Sequence, residues 1–441
     1  MSKQRYSKSG PKSLLRRCLL SLIAVCSGLL VGCFTERAAK SEKLARVHIV
    51  DRNGLKETVS VQNRLDMYAK NDFLSPQPYR QVVRTYVSNA DGKTPSKMTT
   101  YHENGQVAEY IELINGRAFG AYRSWHPNGM QSVEAFVIEG MGALDDLAKP
   151  SWVFDGKSCA WDPKGNLAAE FYYDKGKLTG NALYYYPSGQ VSCICPYRDG
   201  AIEGEEVLYS KTGEVIGKTH YAQGKKEGPS FFRGDREIPP YSEAYCEGKL
   251  IEGEYVDFSG EKIAQIHQGC GVKAIFAEGA LAEKREYRNG IEEGTMRYFT
   301  KDGGVINTIE VKEGLKEGEE WVYYPLEDNQ GKKPKLYVQW HQGAIHGLSR
   351  SWYPNGNLES EREFCDNKKH GVSSAWYANG ALRLIETYEN DLLKTGAYYS
   401  KMGESIVSTV ENGTGTVTLY DSEGRFLNTV EYDEGRPLPL Q

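Results

Sequence analysis

Short runs of apolar and aromatic residues alternate with polar turns along most of this chain. The runs are five to eight residues long, rich in Tyr, Phe, Val and Trp, and are separated by stretches that carry Gly, Pro, Asn or Asp. In DKGKLTGNALYYYPSG (residues 174–189), for example, an aromatic run lies between two Gly-containing turns. Runs of this length and composition are typical of β-strands. The pattern therefore predicts a succession of β-hairpins.

Glycines recur with a step of 24 residues, and ten of them are predicted to be structural turn positions. These are Gly176, Gly180, Gly189, Gly200, Gly204, Gly213, Gly347, Gly356, Gly371 and Gly380. Asn-Gly pairs favour positive φ at both central positions and so predict tight hairpins. Five such pairs are Asn104-Gly105, Asn128-Gly129, Asn289-Gly290, Asn355-Gly356 and Asn379-Gly380. Since consecutive hairpins pair most simply with each other, the predicted fold is all-β, an elongated antiparallel meander of repeated 24-residue hairpins.

The chain divides into five predicted segments. They are a signal peptide (1–32), a lipidated cysteine with its tether (33–43), an N-terminal cap (44–97), the repeat array (98–433) and a C-terminal tail (434–441). Irregular insertions interrupt the array near 141–161, 233–240, 267–285 and 326–335. In repeat arrays insertions fall on loops of one side, often the binding side. For these four insertions, a functional role and tolerated variation of the surface sequence are both open interpretations.

One aromatic residue recurs at a fixed phase of the repeat and defines a candidate binding face. Its members are Trp125, Tyr185, Tyr209, Phe299, Tyr323, Trp352 and Trp376. A second aromatic recurs three residues before the first Gly of each unit, as at Tyr173, Tyr197 and Tyr245. Stacked hairpins would align such residues into ladders, in which cross-strand aromatic pairs contribute about 0.2–1 kcal/mol each.

The N-terminus carries a processing signal. Six basic residues precede an apolar stretch that begins at Cys18 and ends in Leu-Val-Gly-Cys at Cys33. This ending resembles the lipobox of bacterial lipoproteins, which implies that Cys33 is acylated and becomes the first mature residue. An ordinary signal peptide with an incidental cysteine is the alternative. Phe34 follows instead of Asp, so the sorting rule for lipoproteins favours the outer over the inner membrane. We expect a cell-envelope protein held by an acyl anchor on Cys33.

The repeat also resembles a known family. The pattern G-x-x-x-G-x-x-x-x-Y/W-x-x-x-G occurs at Gly176, Gly180, Tyr185 and Gly189, and again in residues 343–356. It is similar to the bacterial variant of the MORN repeat, common in proteins labelled as toxin-antitoxin antitoxins. The resemblance covers about three quarters of the chain. It implies elongated β-meanders used for binding, scaffolding and membrane attachment. The antitoxin label fits badly with a lipobox, because such a partner would ordinarily act inside the cell.

Charge and motifs narrow the function classes. Removal of the signal peptide changes the formal charge from −5 to −11, which disfavours nucleic acid and anionic lipid headgroups as ligands. The repeat region has no phosphate loop, nucleophile elbow or HExxH motif, and a single-layer sheet offers a groove at best. We expect neither an enzyme nor a bound cofactor. Acidic residues crowd the Gly turns, as at Glu203, Glu252 and Glu317. Three interpretations of these acidic residues are open: a calcium-dependent edge, a docking surface for a basic partner, and a solvated edge that blocks the addition of further strands.

The cysteines and histidines are the residues to consider as candidate metal ligands. The six cysteines after Cys33 are Cys159, Cys193, Cys195, Cys246, Cys270 and Cys365, for which disulfides, packing and a metal or redox site are open. Cys193 and Cys195 share a strand face and could each meet a neighbouring strand. His102 and His126 lie one repeat apart, which is about 10 Å in a flat sheet, whereas ligands of one zinc lie within about 4 Å. We predict no metal at these histidines.

The sequence therefore predicts a binding or scaffolding module of the cell envelope that uses its aromatic-lined sheet face. The expected partner is an unidentified protein or glycan. Two alternatives are an antitoxin-like inhibitor of a toxin protein and, less favoured, a hydrolase of envelope polymers, which would need paired carboxylates in one cleft.

Overall fold

The computed structural model describes residues 43–88, 93–325, 332–400 and 405–439. The chain divides into two compact units that part between Phe232 and Arg233, at the start of the predicted insertion 233–240. Strands dominate the described part of both units, which confirms the predicted all-β meander of hairpins. The signal peptide and Cys33 lie outside the described residues. No helix in the described ranges is both long and apolar enough to cross a membrane.

The first unit contains seventeen described strands, one α-helix, α1 (Gln62–Tyr68), and one 3-10 turn (Lys149–Ser151). The strands are β1 (Leu44–Asp51), β2 (Lys56–Val59), β3 (Arg80–Val87), β4 (Pro95–Tyr101), β5 (Val107–Ile114), β6 (Arg117–Trp125), β7 (Gln131–Glu139), β8 (Val153–Phe154), β9 (Gly156–Trp161), β10 (Leu167–Asp174), β11 (Lys177–Leu178), β12 (Gly180–Tyr185), β13 (Val191–Arg198), β14 (Ala201–Ile202), β15 (Gly204–Tyr209), β16 (Val215–Ala222) and β17 (Lys225–Phe232).

The second unit contains eighteen described strands. They are β18 (Tyr241–Cys246), β19 (Lys249–Val256), β20 (Lys262–His267), β21 (Cys270–Ala277), β22 (Ala280–Arg288), β23 (Ile291–Phe299), β24 (Val305–Lys312), β25 (Leu315–Tyr323), β26 (Pro334–His341), β27 (Ala344–Trp352), β28 (Leu358–Cys365), β29 (Lys368–Trp376), β30 (Leu382–Glu389), β31 (Leu392–Tyr399), β32 (Ile406–Glu411), β33 (Thr414–Tyr420), β34 (Phe426–Asp433) and β35 (Arg436–Pro437).

Within each unit, strands that follow one another along the chain pair antiparallel. In the second unit every strand from β18 to β35 pairs with the next, as β27 does with β28. In the first unit β1 pairs with both β2 and β3, and β3 pairs with β4. Short strands add pairings across a turn, such as β13 with both β14 and β15. The order in space therefore follows the order in sequence almost throughout each unit.

Two kinds of turn alternate in the meander. The short turn has two residues at positive φ, as at Asp199 (52°) and Gly200 (87°), the geometry of a type I′ hairpin. In the long turn the Gly189 N–H donates to the Tyr186 carbonyl at 2.8 Å, and only the glycine has positive φ, at 84°. A β-bulge precedes the long turn, for example between Tyr184 and Tyr185. Bulges of this kind increase the local twist of a strand pair.

The prediction that Asn-Gly pairs close two-residue hairpins holds at Asn289-Gly290. It is wrong for the pairs at Asn104, Asn128, Asn355 and Asn379, which lie in long turns and in which only the glycine has positive φ. Their side chains are used differently. The Asn104 Nδ2 donates to the Pro127 carbonyl in the next turn at 2.6 Å, and its Oδ1 accepts the Gln106 N–H at 3.1 Å.

All ten predicted turn glycines have positive φ, so each occupies a conformation that favours glycine. Gly176 and Gly200 lie in short turns, and Gly189, Gly213, Gly356 and Gly380 lie in long turns. The other four lie in strands and not in turns: Gly180 and Gly204 begin β12 and β15, whereas Gly347 and Gly371 lie inside β27 and β29 at register shifts. These positions are β-bulges, of which one type places a glycine at positive φ.

Two of the predicted insertions have a clear place in the structure. In residues 141–161, Trp152 and Phe154 are buried in the core cluster of Ile111 and Val137, and the Trp152 Nε1 donates to the Met141 carbonyl at 2.9 Å. This segment therefore covers the sheet. Residues 267–285 lose the repeat sequence but keep the hairpin geometry, with short turns at 268–269 and 278–279. Of the fourth insertion, residues 326–331 lie outside the described ranges.

Candidate functional site

Adjacent long turns hydrogen-bond to each other in both units. The Tyr186 hydroxyl donates to the Tyr209 carbonyl at 2.8 Å. His102 uses the same position: its Nε2 lies 2.8 Å from the Trp125 carbonyl, which can only accept. His126 does likewise with the Trp161 carbonyl at 2.9 Å. These histidines bind backbone carbonyls of the neighbouring hairpin.

Short turns are linked to each other through acidic side chains. The Glu317 Oε2 accepts the Gln342 N–H at 2.6 Å, and its Oε1 lies 3.0 Å from the His341 Nδ1. The Gln342 N–H and the His341 ring lower the pKa of Glu317. Glu252 is placed in the same way against Gln268 and His267, again with a lowered pKa. These carboxylates at the Gly turns therefore accept backbone N–H groups of the next turn.

The seven predicted aromatic residues share one structural position. Each is half-buried and is the last residue of its strand, directly before a turn. In the first unit, Trp125 packs against the cluster of Val47, and the Tyr185 hydroxyl donates to the Glu170 Oε2 at 3.0 Å. In the second unit, the ammonium of Lys332 lies 5.3 Å from the ring centre of Tyr323. Phe299 and Trp376 complete the set, with Trp352 and Tyr209.

Of the seven predicted aromatic residues, Trp352 lies in a group of three aromatic rings in contact. Its ring stacks on Trp321, with centroids 6.0 Å apart and planes inclined by 20°. Trp321 in turn contacts Tyr337 at a centroid distance of 4.6 Å. Tyr337 is only 6% exposed, whereas both indoles are half-buried. We call Trp321, Tyr337, Trp352 and Glu319 the tryptophan patch.

Glu319 fixes the orientation of two rings of the tryptophan patch. Its Oε2 accepts the Trp321 Nε1–H at 2.9 Å, and its Oε1 accepts the Tyr337 hydroxyl at 2.9 Å. Burial, followed by this hydrogen bond, raises the pKa of Tyr337, so the hydroxyl remains protonated and can donate. The indole of Trp321 is therefore held in place before any ligand arrives.

Trp321 and Tyr337 are absent from the predicted face, because that face consists only of aromatic residues that recur at one phase of the repeat. The register places them directly opposite each other on β25 and β26. A usable signal existed at Trp321, which lies two residues before Tyr323 in the same strand. The tryptophan patch offers flat apolar surface beside a carboxylate, which suits stacking against sugar rings or apolar side chains.

The second unit also contains a buried polar cluster around the carboxylate of Glu243. Glu243, 5% exposed, accepts hydrogen bonds from the hydroxyls of Tyr245 at 2.6 Å and Tyr255 at 2.7 Å, and it pairs with the ammonium of Lys273. Burial and Glu243 raise the pKa of both tyrosines. The cluster is satisfied by its own members, so it is a structural feature of the core.

Cys193 and Cys195 contact each other, with their Sγ atoms 3.4 Å apart, and both are buried. Cys195 also reaches the neighbouring strand: its Sγ lies 3.4 Å from the Glu206 Oε1 on β15. The hydrogen bond with Cys193, together with burial, raises the pKa of the Cys195 thiol. None of the six cysteines in the described ranges forms a disulfide. Cys33 lies outside those ranges.

Comparison with known proteins supports the repeat assignment. Three segments, residues 178–199, 345–366 and 369–390, match the family described as MORN repeat variant. The second of them contains Trp352 of the tryptophan patch. Among curated proteins, no match was found. The chain shows similarity to a structure of the Photorhabdus luminescens Tc holotoxin pore, with 12% identity and a TM-score of 0.13, over 88% of this chain and 26% of that chain. It thus spans about a quarter of the length of that chain.

Proposed function

We propose that this protein is a lipid-anchored component of the cell envelope that binds a protein or glycan partner through the tryptophan patch. The observation that carries the proposal is the stacked, half-buried pair of Trp321 and Trp352, held in place by Glu319. The MORN repeat variant segments support a binding or scaffolding role for the sheet. The lipobox at Cys33 supports the anchor.

The tryptophan patch has the properties of a recognition surface. Large aromatic side chains provide contact area at low cost in side-chain entropy, and Trp and Tyr are enriched among residues that dominate binding. Because Trp321 is already fixed by the Glu319 carboxylate, less conformational freedom is lost on binding. Both oxygens of Glu319 are engaged by neighbours. The proposed role is therefore binding without catalysis.

Crosslinking in intact cells tests the binding surface. We expect the double variant Trp321→Ala, Trp352→Ala to lose partner crosslinks by about tenfold or more, as removal of aromatic anchors does in other interfaces. Phe258→Ala is the matched control, since Phe258 is a 51% exposed aromatic of the same unit. Circular dichroism of the purified variants checks that the sheet is retained. Equal crosslinking by the wild type and the folded double variant would refute the tryptophan patch as the binding surface.

The anchor is tested separately by mass spectrometry of the protein isolated from its own cells. We expect the wild type to begin with an acylated Cys33, and Cys33→Ala to keep its signal peptide and carry no lipid. A wild type without lipid at Cys33 would refute the anchor and leave the binding surface to be judged by crosslinking. An unprocessed chain that crosslinks one cytoplasmic protein would instead support the antitoxin-like inhibitor.

A further inference from the structure

We propose that Cys193, Cys195 and Glu206 form a binding site for a thiophilic divalent cation such as Zn²⁺. This proposal concerns the first unit and is independent of the tryptophan patch. The three side chains each offer one ligand atom, and these atoms all lie within 4.8 Å of one another. The site joins β13 to β15 across the short turn at Asp199 and Gly200.

The strand geometry explains why these three residues meet. Cys193 and Cys195 are two residues apart in β13, so their side chains lie on the same face. β13 pairs with β15 through Cys193 opposite Leu208 and Ile194 opposite Val207. Continuation of this register sets Glu206 beside Cys195. The short turn therefore delivers a carboxylate to a pair of thiols.

The distances are close to those of a zinc site. Tetrahedral zinc with Zn–S bonds near 2.3 Å and Zn–O bonds near 2.0–2.2 Å implies separations of about 3.8 Å between sulfurs and about 3.5 Å between sulfur and oxygen. The Sγ atoms of Cys193 and Cys195 are 3.4 Å apart, and the Cys195 Sγ is 3.4 Å from the Glu206 Oε1. Shifts of a few tenths of an ångström would bring these two separations to the zinc values, and the third separation, between the Cys193 Sγ and the Glu206 carboxylate, is within 4.8 Å. Thiolate and carboxylate ligands together suit Zn²⁺.

The surroundings support a cation at this position. Cys193 and Cys195 are 2% and 3% exposed, and Glu206 is half-buried. Among the described residues, no Lys or Arg forms an ion pair with Glu206, and even partial removal of a carboxylate from water without a compensating cation is costly. The Tyr221 hydroxyl donates to the Glu206 Oε2 at 3.5 Å, which leaves Oε1 directed at the thiols. Such outer partners orient the ligands of protein metal sites.

Three protein ligands leave one tetrahedral position for water or a small exogenous ligand. Because the site spans two strands of the folded sheet, a cation bound there would stabilise the folded unit by mass action. A second group, His346, Cys365 and Asp366, lies on an exposed edge of the other unit with its His346 Nδ1 3.2 Å from the Asp366 Oδ1. It supplies only one thiol and serves as the internal control for the test.

The test uses Co²⁺ as a spectroscopic probe and Zn²⁺ as competitor, on the reduced, metal-depleted full chain. We expect one Co²⁺ to give an intense thiolate-to-cobalt charge-transfer band that Zn²⁺ abolishes. Cys193→Ala and Cys195→Ala should each weaken or remove the band, and Glu206→Gln should reduce affinity. Tyr221→Phe should reduce affinity by about 10-fold or more. Cys159→Ala, in the same unit, and Cys365→Ala should keep the band.

Two results would overturn the proposal. One is a folded, reduced wild type with no charge-transfer band. The other is a band that survives Cys195→Ala and disappears in Cys365→Ala, which would place the cation in the second unit. If the cysteine variants fail to fold, alkylation of the wild type decides. Because both thiols are buried, alkylation is measured at a urea concentration that exposes them in the metal-free chain. Zn²⁺ should then protect Cys193 and Cys195, as mapped by mass spectrometry, and equal modification with and without Zn²⁺ under that condition would refute the site.

Discussion

The hydroxyl of Tyr353 donates a hydrogen bond to the backbone carbonyl of Trp376, which ends the strand of the next hairpin, at 2.8 Å. Tyr377 repeats this contact with the Tyr399 carbonyl at 2.7 Å. Both tyrosines are buried, at 8% and 1% exposure. These hairpins of the second unit are thus tied to their successors at the turn edge as well as along the strands.

Tyr377→Phe should destabilise the second unit. The substitution keeps the ring and leaves the Tyr399 carbonyl without its donor, which costs about 1–3 kcal/mol when the group is buried. The free energy of unfolding from urea titration measures the effect. Tyr420→Phe is the matched control, because its hydroxyl has no hydrogen-bond partner within the described ranges and the change should be close to neutral. Equal midpoints for the two variants would contradict a stabilising role for the hydrogen bond between turns.

Alanine substitutions at Gly356 and Gly371 should distinguish the cost of backbone strain from the cost of losing a hydrogen bond to a carboxylate. Gly356 and Gly371 have nearly equal φ, at 93° and 92°, but an added Cβ meets open space at Gly356 and clashes with the Glu363 carboxylate at Gly371. That carboxylate accepts the Val372 N–H at 3.3 Å. We expect each Ala variant to lose about 1–2 kcal/mol from the left-handed backbone, and Gly371→Ala to lose about 1 kcal/mol more with its hydrogen bond.

A double-mutant cycle tests this explanation of the extra loss. When Glu363→Ala is already present, the cost of Gly371→Ala should fall to that of Gly356→Ala, because the carboxylate is no longer there to be displaced. Chemical denaturation of the four proteins of the cycle gives the coupling energy. Strictly additive losses would show that Glu363 has no part in the cost.

Much of the β-meander could be predicted from the residue types in each turn and strand. The candidate sites could not, because they depend on which residues of neighbouring strands are paired. Asn289-Gly290 forms the predicted type I′ turn because both residue types accept positive φ. Gln342 also has positive φ, at 48°, although its type gives no such signal, and its N–H is bound by Glu317 of another strand. The turn at Gln342 is therefore supported by a contact that no local pattern contains.

The tryptophan patch and the proposed site of Cys193, Cys195 and Glu206 likewise could be predicted from sequence only in part. The face shared by Cys193 and Cys195 follows from their spacing, but their contact with Glu206 requires the pairing of β13 with β15. Trp352 has the phase of the repeat, whereas its stacking on Trp321 requires β25, β26 and β27 to pair in the observed register. Sequence periodicity predicts which residues recur, and strand pairing decides which of them touch.

Lys273 and Lys301 should differ greatly in their contribution to stability. Lys273 pairs with Glu243, whose side chain is 1% exposed, whereas Lys301 pairs with Glu278 at the surface. Lys273→Met leaves a buried carboxylate without its cation, which costs about 3–5 kcal/mol. Lys301→Met should cost less than about 1 kcal/mol. Thermal and urea unfolding measure both, and Glu243→Gln in the Lys273→Met background should recover part of the loss. Comparable losses for the two lysines would refute the buried pair.

Alkaline pH should unfold the protein steeply, because many tyrosines are buried in their neutral form. Burial, followed by the nearby Cys195, raises the pKa of Tyr197 to about 12 from an ordinary value of 10.0. Burial raises the pKa of Tyr221 and Tyr388 further. A raised pKa means that the unfolded chain loses its tyrosine protons first, so the tyrosine contribution to stability is constant below about pH 10 and falls as pH rises above that value. Urea midpoints measured from pH 8 upward, alongside tyrosinate absorbance, check this expectation. Tyrosines that ionise near pH 10 without loss of stability would contradict it.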